Sequence, residues 1–95
     1  MVKIVWSPNS LKDLNQIFEY IARDSIDYAK QVISGISDAK NRLKKFPRSG
    51  RIVPELNQQN IREIIYSSYR IIFQIHSDLI IMILTIVHCS RNLRI

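Results

Sequence analysis

The sequence predicts an α+β fold in which an antiparallel sheet packs against an N-terminal helical hairpin. Three observations indicate it. A short alternating segment opens the chain, two segments with helical periodicity follow, and three strand-like segments with short connections come last. Short connections favour antiparallel neighbours, so the expected order is β-α-α-β-β-β. With 95 residues, the chain is expected to be one domain, residues 1–95.

The first strand and the first helix are predicted next to each other. Val2 to Trp6 alternates around β-branched residues, which is typical of a strand. Ser7 can cap a helix and Pro8 fits its first turn, where a missing N–H costs nothing. The helix is predicted from Pro8 to Arg23. Its apolar positions fall on one face: Leu11, Leu14, Ile17, Phe18 and Ile21.

A second helix is predicted between Ser25, as its N-cap, and Pro47, which ends it. The short gap between the two helices predicts an antiparallel hairpin. The helix's apolar positions are Ala29, Val32, Ile33, Ile36, Leu43 and Phe46. Gly35 lies in its middle and should cost about 1 kcal/mol relative to Ala, which we interpret as close packing of the two helices.

A loop is predicted over residues 47–60, followed by strands at Ile61 to Tyr66, Tyr69 to His76 and Leu79 to His88. Within the middle strand, alternation turns Tyr69, Ile71, Phe73 and Ile75 towards the helices. Arg70 then projects from the other face.

The last strand is apolar on both faces, which predicts a central strand. Strict alternation places Ile80, Met82, Leu84 and Ile86 on one face, and Leu79, Ile81, Ile83 and Val87 on the other. The hairpin covers only one face of the sheet. A partner chain, a second copy or the C-terminal tail is expected to cover part of the other.

The charge distribution favours an anionic partner. Net charge is +6, with −1 over residues 1–39 and +7 over residues 40–95. Nucleic acid, an acidic protein segment or a membrane surface would fit, and so would a plain basic domain without such a partner. The cations clustered at the end of the second helix also have a structural explanation, because positive charge stabilises the negative end of a helix dipole.

Several classes of protein are disfavoured by composition. One cysteine, Cys89, excludes an intrachain disulfide and fits a cytoplasmic location. A secretory leader is not expected, because no charged segment followed by an apolar run begins the sequence. The longest apolar run, residues 79–87, is too short to span a bilayer. His76, His88 and Cys89 make no recognised zinc spacing, so neither metal nor other cofactor is expected.

Four motifs, in this order, resemble the RelE/ParE superfamily of bacterial type II toxins. They are VWSPNSLKDLNQIFEYIARDS in the first strand and helix, FPRSGRIVPEL in the loop, IREIIYSSYRIIFQI in the next two strands and ILTIVHCSRNL at the end. The resemblance covers almost the whole chain and looks closest to the ParE branch. It implies the β-α-α-β-β-β fold and a toxin of a toxin–antitoxin, or plasmid-stabilisation, system.

The resemblance also implies partners. An antitoxin with an acidic, extended or helical tail would wrap the toxin, which fits the basic half and the uncovered sheet face. ParE-like members are associated with poisoning DNA gyrase. The alternative is a ribosome-dependent mRNA endonuclease of the RelE or YoeB kind, and a third hypothesis is a non-toxic binding module.

The alternative has three candidate catalytic residues. Metal-free RNA cleavage needs a base, a cation that stabilises the phosphorane and an acid. Glu55, Arg70 and His88 are the candidates in that order, and their positions resemble those of the YoeB-like trio. Each residue also has a structural alternative: a solvated or paired loop Glu, an ion-paired Arg and a surface His.

Candidate contacts with the antitoxin or with nucleic acid come from arginines after the second helix: Arg48, Arg51, Arg62, Arg70 and Arg91. Arg62 and Glu63 are consecutive in a strand and must point to opposite faces. They therefore cannot form one site. Arg62 is a candidate antitoxin contact and Glu63 is a candidate partner for a basic residue of the loop, with structural roles favoured for both.

Overall fold

The computed structural model describes residues 2–91, and its elements follow the predicted order with one addition. They are β1 (Lys3–Trp6), α1 (Pro8–Ala22), α2 (Ile26–Lys45), β2 (Arg51–Ile52), β3 (Ile61–Tyr66), β4 (Tyr69–Ile75) and β5 (Ile80–His88). The addition is β2, a two-residue strand within the predicted loop. The tail after Arg91, one of the covers expected for the open sheet face, lies outside the described residues.

One five-stranded sheet is formed, in the order β1-β5-β4-β3-β2. Strands β3 to β5 pair antiparallel, as predicted, and the added β2 pairs antiparallel with β3. Strand β1 joins parallel to β5, so the sheet is mixed and not wholly antiparallel as expected. A parallel pair needs a long connection, which the helical hairpin and the strands after it supply. Strand β5 has neighbours on both sides, as its two apolar faces predicted.

Both predicted helix starts are confirmed by their caps. The Ser7 hydroxyl accepts a hydrogen bond from the Ser10 amide at 3.0 Å, and the Ser25 hydroxyl accepts one from the Tyr28 amide at 3.1 Å. Helix α2 ends at Lys45, before Pro47. No helix among residues 2–91 combines the length and the apolar character that crossing a membrane requires.

The hydrophobic core lies between the hairpin and one face of the sheet. Its buried members are Val32, Ile36, Leu43, Ile64, Ile71, Phe73, Ile75, Ile81, Ile83 and Ile86. The predicted inward face of β4 is confirmed by three of them. The prediction that Leu11 and Phe46 lie on the core-facing sides of their helices is wrong, because Leu11 is 50% exposed and Phe46 is 64% exposed.

A β-bulge in β5 corrects the predicted faces of that strand. Ile72 pairs with Thr85 and Phe73 pairs with Ile83, so Leu84 is an extra residue. Ile86 consequently shares the core face with Ile81 and Ile83, rather than the face of Ile80 and Met82. Strict alternation fails here because one added residue moves every later side chain of the strand to the opposite face.

Helix α1 holds the bulge through two polar side chains. The Asp13 carboxylate accepts hydrogen bonds from the Thr85 hydroxyl at 2.5 Å and from the Ile86 amide at 3.0 Å. The Ser7 hydroxyl donates to the Leu84 carbonyl at 2.9 Å. The backbone groups that a bulge leaves without ladder partners are thus bonded from the helix.

We expect Asp13→Ala to lower the free energy of unfolding by about 1–3 kcal/mol, because it leaves the part-buried Ile86 amide without its acceptor. Urea denaturation monitored by circular dichroism measures this. The matched control is Asp24→Ala at an exposed position, expected to change stability by less than about 0.5 kcal/mol. Equal stability of the two variants would contradict the role given to Asp13.

A side chain at position 35 would collide with the sheet and not with the neighbouring helix. This corrects the interpretation that Gly35 reflects close packing of the two helices. A Cβ atom at Gly35 would lie 1.9 Å from Cζ and 2.0 Å from Oη of Tyr66, on β3. The ring therefore occupies the space that a side chain would need.

We expect Gly35→Ala to destabilise the protein by about 1–3 kcal/mol through overpacking. The same change normally stabilises a helix interior by about 1 kcal/mol. In a Tyr66→Ala background, where the ring is gone, Gly35→Ala should become stabilising. Thermal denaturation of the four proteins of this double-mutant cycle measures the reversal, and the same sign in both backgrounds would refute the steric explanation.

Candidate functional site

Four charged side chains gather on the sheet face opposite the helices, and we call them the Arg70 cluster: Arg51, Glu55, Glu63 and Arg70. Glu63 lies between Arg51 of β2 and Ile72 of β4 in the strand register. Paired residues share a face, and Arg70 lies two residues before Ile72 on β4. The loop after β2 places Glu55 against Arg70 on this face.

Every N–H group of the Arg70 guanidinium donates a hydrogen bond within the protein. Its Nη1 and Nη2 donate to the two carboxylate oxygens of Glu55, each at 2.7 Å. Its Nε and Nη2 donate to one oxygen of Glu63 at 2.9 and 2.6 Å, and Nη1 also reaches the Arg91 carbonyl at 3.4 Å. A guanidinium has five N–H donors, and these five contacts account for all of them.

Glu63 is the most buried member of the cluster. Its side chain is 0% exposed, against 7% for Arg70, 25% for Glu55 and 64% for Arg51. Its second oxygen accepts a hydrogen bond from Nε of Arg51. Gly50 admits this close approach of the loop, since a Cβ there would lie 2.7 Å from the Glu63 carbonyl oxygen. The expected pairing of Glu63 with a basic residue of the loop is thus observed.

The cluster is electrically balanced, with two arginines facing two glutamates. The hydrogen bonds to Glu55, ahead of the opposing effect of burial, raise the pKa of Arg70 further above its ordinary value. Arg70 therefore stays charged throughout the range in which the protein is handled. Bidentate Arg–carboxylate bonding of this kind is strong and fixes orientation. Its evident physical role is to tie the loop and β2 onto the sheet.

His88 lies on the other face of the sheet. It pairs with Tyr69 in the register, whereas Arg70 pairs with Val87. The imidazole meets the Tyr69 ring edge-on, with centroids 5.4 Å apart, and its Nδ1 is 2.8 Å from the Ser90 hydroxyl. Of the three predicted catalytic residues, the structure brings Glu55 and Arg70 together and turns His88 away from them. Their catalytic roles remain predictions.

Two of the remaining predicted contact residues, Arg48 and Arg62, lie at the loop after α2, and the third is Arg91. Arg62 folds back on that loop and donates to the carbonyls of Gln59 at 2.9 Å and Gly50 at 3.2 Å. Arg48 is exposed, and its carbonyl accepts a weaker bond from Arg62 at 3.4 Å. Arg91 is exposed at the end of the described chain. Arg48 and Arg91 therefore present their side chains to solvent, while Arg62 serves the loop.

The surface above the Arg70 cluster is a shallow depression lined by Arg51, Pro54, Glu55, Ile65, Arg70 and Cys89. Across residues 2–91, no three His, Cys, Asp or Glu side chains come together as metal ligands. With Arg70 saturated, the exposed cation of the depression is Arg51, beside the half-exposed Ile65. These features suit contact with a polypeptide better than proton transfer.

Sequence reasoning missed a group of aromatic residues at the end of the hairpin, which we call the tyrosine surface: Tyr20, Tyr28 and Tyr69, with His88 against Tyr69. Tyr20 is 70% exposed and Tyr28 is 52% exposed. Burial, and then the proximity of Tyr28 and Tyr20, raise the pKa of Tyr69. The signal was present in the sequence, because Tyr20 and Tyr28 fall outside the apolar faces of their helices.

A family model and a known relative both match the chain over most of its length. The family model described as "ParE toxin of type II toxin-antitoxin system, parDE" matches residues 4–93. A relative from Sinorhizobium fredii (strain NBRC 101917 / NGR234), named "Putative toxin Y4kP", is 32% identical over 92 residues, which are 95% of this chain and 91% of the relative.

A solved structure described as "Chromosomal ParDE TA system from P. aeruginosa" has the same fold, with a TM-score of 0.73 at 19% identity. The match covers 93% of this chain and 96% of the other. The α+β fold class predicted from the sequence is therefore confirmed.

Proposed function

Since the chain belongs to the ParE toxin family of type II toxin–antitoxin systems, as the motifs of its sequence predicted, we propose that it arrests growth by binding DNA gyrase and that a cognate antitoxin neutralises it. Family membership supports the antitoxin, and the structural neighbour is itself described as a ParDE system. The choice of target depends on the geometry of the candidate residues.

One observation carries that choice: the Arg70 guanidinium has no N–H left for a phosphate. All five donors are taken by Glu55, Glu63 and the Arg91 carbonyl. A cation that stabilises a phosphorane must direct free donors at the reacting oxygens. Together with the position of His88 on the opposite face, this favours a binding mechanism over the mRNA endonuclease.

The tyrosine surface is the part of the molecule best suited to bind a protein target. Exposed tyrosines are enriched at protein interfaces, because they bury a large area at a small entropic cost and carry a hydroxyl for hydrogen bonding. Tyr20 on α1 and Tyr28 on α2 each expose more than half of their area. We assign gyrase contact to them.

A DNA supercoiling assay with purified gyrase tests the proposal. We expect the protein to inhibit supercoiling and Tyr20→Ala with Tyr28→Ala to weaken inhibition roughly tenfold or more, the usual size of a hot-spot effect. The matched control is Leu11→Ala, an exposed apolar residue near the other end of α1, which should inhibit like the parent. Cleaved mRNA in a translation extract, with gyrase unaffected at stoichiometric excess, would establish the endonuclease instead.

A further inference from the structure

Cations without counter-charges gather where α2 ends, and we call them the basic end: Arg42, Lys44, Lys45 and Arg48. All four residues are exposed. None of them forms an ion pair among residues 2–91, where the ion pairs belong to the Arg70 cluster. The sequence from residue 39 to residue 54 contains neither Asp nor Glu. The positive charge of the basic end is therefore unpaired within the described part of the chain.

An exposed aromatic ring lies among these cations. Phe46 is the C-cap of α2, and its amide donates to the Arg42 carbonyl at 2.8 Å, one helical turn earlier. The ring is 64% exposed, although its spacing predicted a place in the core. A phenyl ring left in water forgoes the free energy that its burial would supply. The basic end therefore offers a partner apolar surface as well as charge.

The helix dipole accounts for only part of this surface. Cations in the last turn stabilise the negative end of a helix, which applies to Arg42, Lys44 and Lys45. That end carries roughly half an elementary charge, so three cations exceed it several-fold. Arg48 lies beyond the helix, and an exposed phenyl ring contributes nothing to the dipole. Both are explained by contact with an external polyanion.

We propose that the basic end binds duplex DNA, with its four cations on the phosphates and Phe46 against the adjoining groove. Contact with the phosphate backbone is independent of base sequence. The choice of DNA rests on the proposed function, because gyrase itself holds a DNA duplex. Tyr28 and the basic end lie at opposite ends of α2, roughly 25 Å apart along the helix. One molecule can therefore contact gyrase with the tyrosine surface and the DNA of gyrase with the basic end.

A membrane surface and an acidic polypeptide fit the basic end less well than DNA does. A helix that lies on a bilayer presents its apolar face to the lipid, whereas Val32, Ile36 and Leu43 of α2 are buried in the core. A bound polypeptide commonly uses a strand edge or an apolar groove for its backbone. The basic end is the last turn of a helix followed by a tight turn, and phosphates need only its exposed cations.

Fluorescence anisotropy with a labelled DNA duplex, in the absence of gyrase, tests the proposal as the salt concentration is varied. For the parent protein we expect log K to fall against log salt with a slope of about −3 to −4, since each cation on a phosphate releases a counterion. Neutralising three of the four cations should bring the slope to about −1. This variant carries Arg42→Gln, Lys45→Gln and Arg48→Gln.

A matched control removes the same charge from exposed positions outside the basic end. It carries Lys12→Gln, Arg23→Gln and Lys30→Gln, and it should keep the slope of the parent. Far-UV circular dichroism establishes that both triple variants are folded. An equal loss of slope in the two would show that DNA is attracted by net charge alone, which overturns the proposal.

Phe46→Ala separates the contribution of the ring from that of the charges. It should weaken DNA binding several-fold at every salt concentration and leave the slope unchanged, because it removes apolar contact and no charge. Unchanged affinity would remove Phe46 from the DNA contact.

The remaining outcomes distinguish this proposal from the proposed function. Polyglutamate, or vesicles that contain phosphatidylserine, would overturn it by binding the basic end more tightly than the duplex does. If the parent protein inhibits supercoiling but binds no duplex by itself, this proposal alone fails. If the basic end binds the duplex and gyrase is unaffected, the proposed function fails and the DNA contact stands.

Discussion

Glu63→Ala is expected to lower the free energy of unfolding by about 3–5 kcal/mol. The change removes the carboxylate that receives two hydrogen bonds from Arg70, whose side chain is only 7% exposed. The guanidinium then keeps only Glu55 as a counter-charge, at 2.7 Å, so the cluster has two arginines facing one glutamate. This is costly, because water cannot take the place of the lost carboxylate. A domain of this length has roughly 5–14 kcal/mol of stability in total, so the variant should be partly unfolded at growth temperature.

Two further variants separate the lost charge from other causes of the Glu63 effect. Glu19→Ala removes an exposed carboxylate from α1 and should change stability by less than about 0.5 kcal/mol. Replacing Glu63 and Arg70 together by Leu removes both buried charges and should recover much of the loss. Guanidinium denaturation of these proteins provides the comparison. A double variant less stable than Glu63→Ala would show that the loss is not due to an uncompensated charge.

Local sequence patterns were sufficient to predict every element except the two-residue β2, because caps and periodicity act over a few residues. Ser7 and Ser25 were expected to start helices, and their hydroxyls accept the predicted amides. The side of the sheet that β1 joins, and its direction, depend on contacts between distant residues, for which a four-residue strand carries no local signal. The bulge at Leu84 could not be predicted for a related reason. The Asp13 carboxylate that stabilises it bonds the Ile86 amide, which is 73 residues away in the chain.

The candidate site was predicted in part, and the limit is again the pairing of strands. The loop, β3 and β4 supplied Glu55, Glu63 and Arg70, and alternation correctly separated Glu63 from Arg62. Whether Arg70 and His88 share a face depends on the register between β4 and β5, which no residue of either strand determines alone. The structure pairs Tyr69 with His88, and this one register places the imidazole away from Arg70.

Arg70→Lys is expected to behave as a folding defect and not as the loss of a catalytic cation. Lysine keeps the charge but offers three donors from a single nitrogen in place of a planar set of five, so it cannot bond Glu55 and Glu63 in the same way. We expect about 2–4 kcal/mol of lost stability and growth arrest reduced in proportion to the folded fraction. Circular dichroism and an induction assay at the same temperature measure the two quantities.

His88→Ala distinguishes a folding defect from lost catalysis, since it removes the third candidate catalytic residue at an exposed position. If the protein acts by binding, His88→Ala should keep its stability and much of its growth arrest, because it contributes only part of the tyrosine surface. Arg70→Lys should recover supercoiling inhibition at a lower temperature, at which it is folded. An endonuclease predicts the opposite pattern: His88→Ala would be folded and inactive, and folded Arg70→Lys would remain impaired because its donors no longer reach the phosphate.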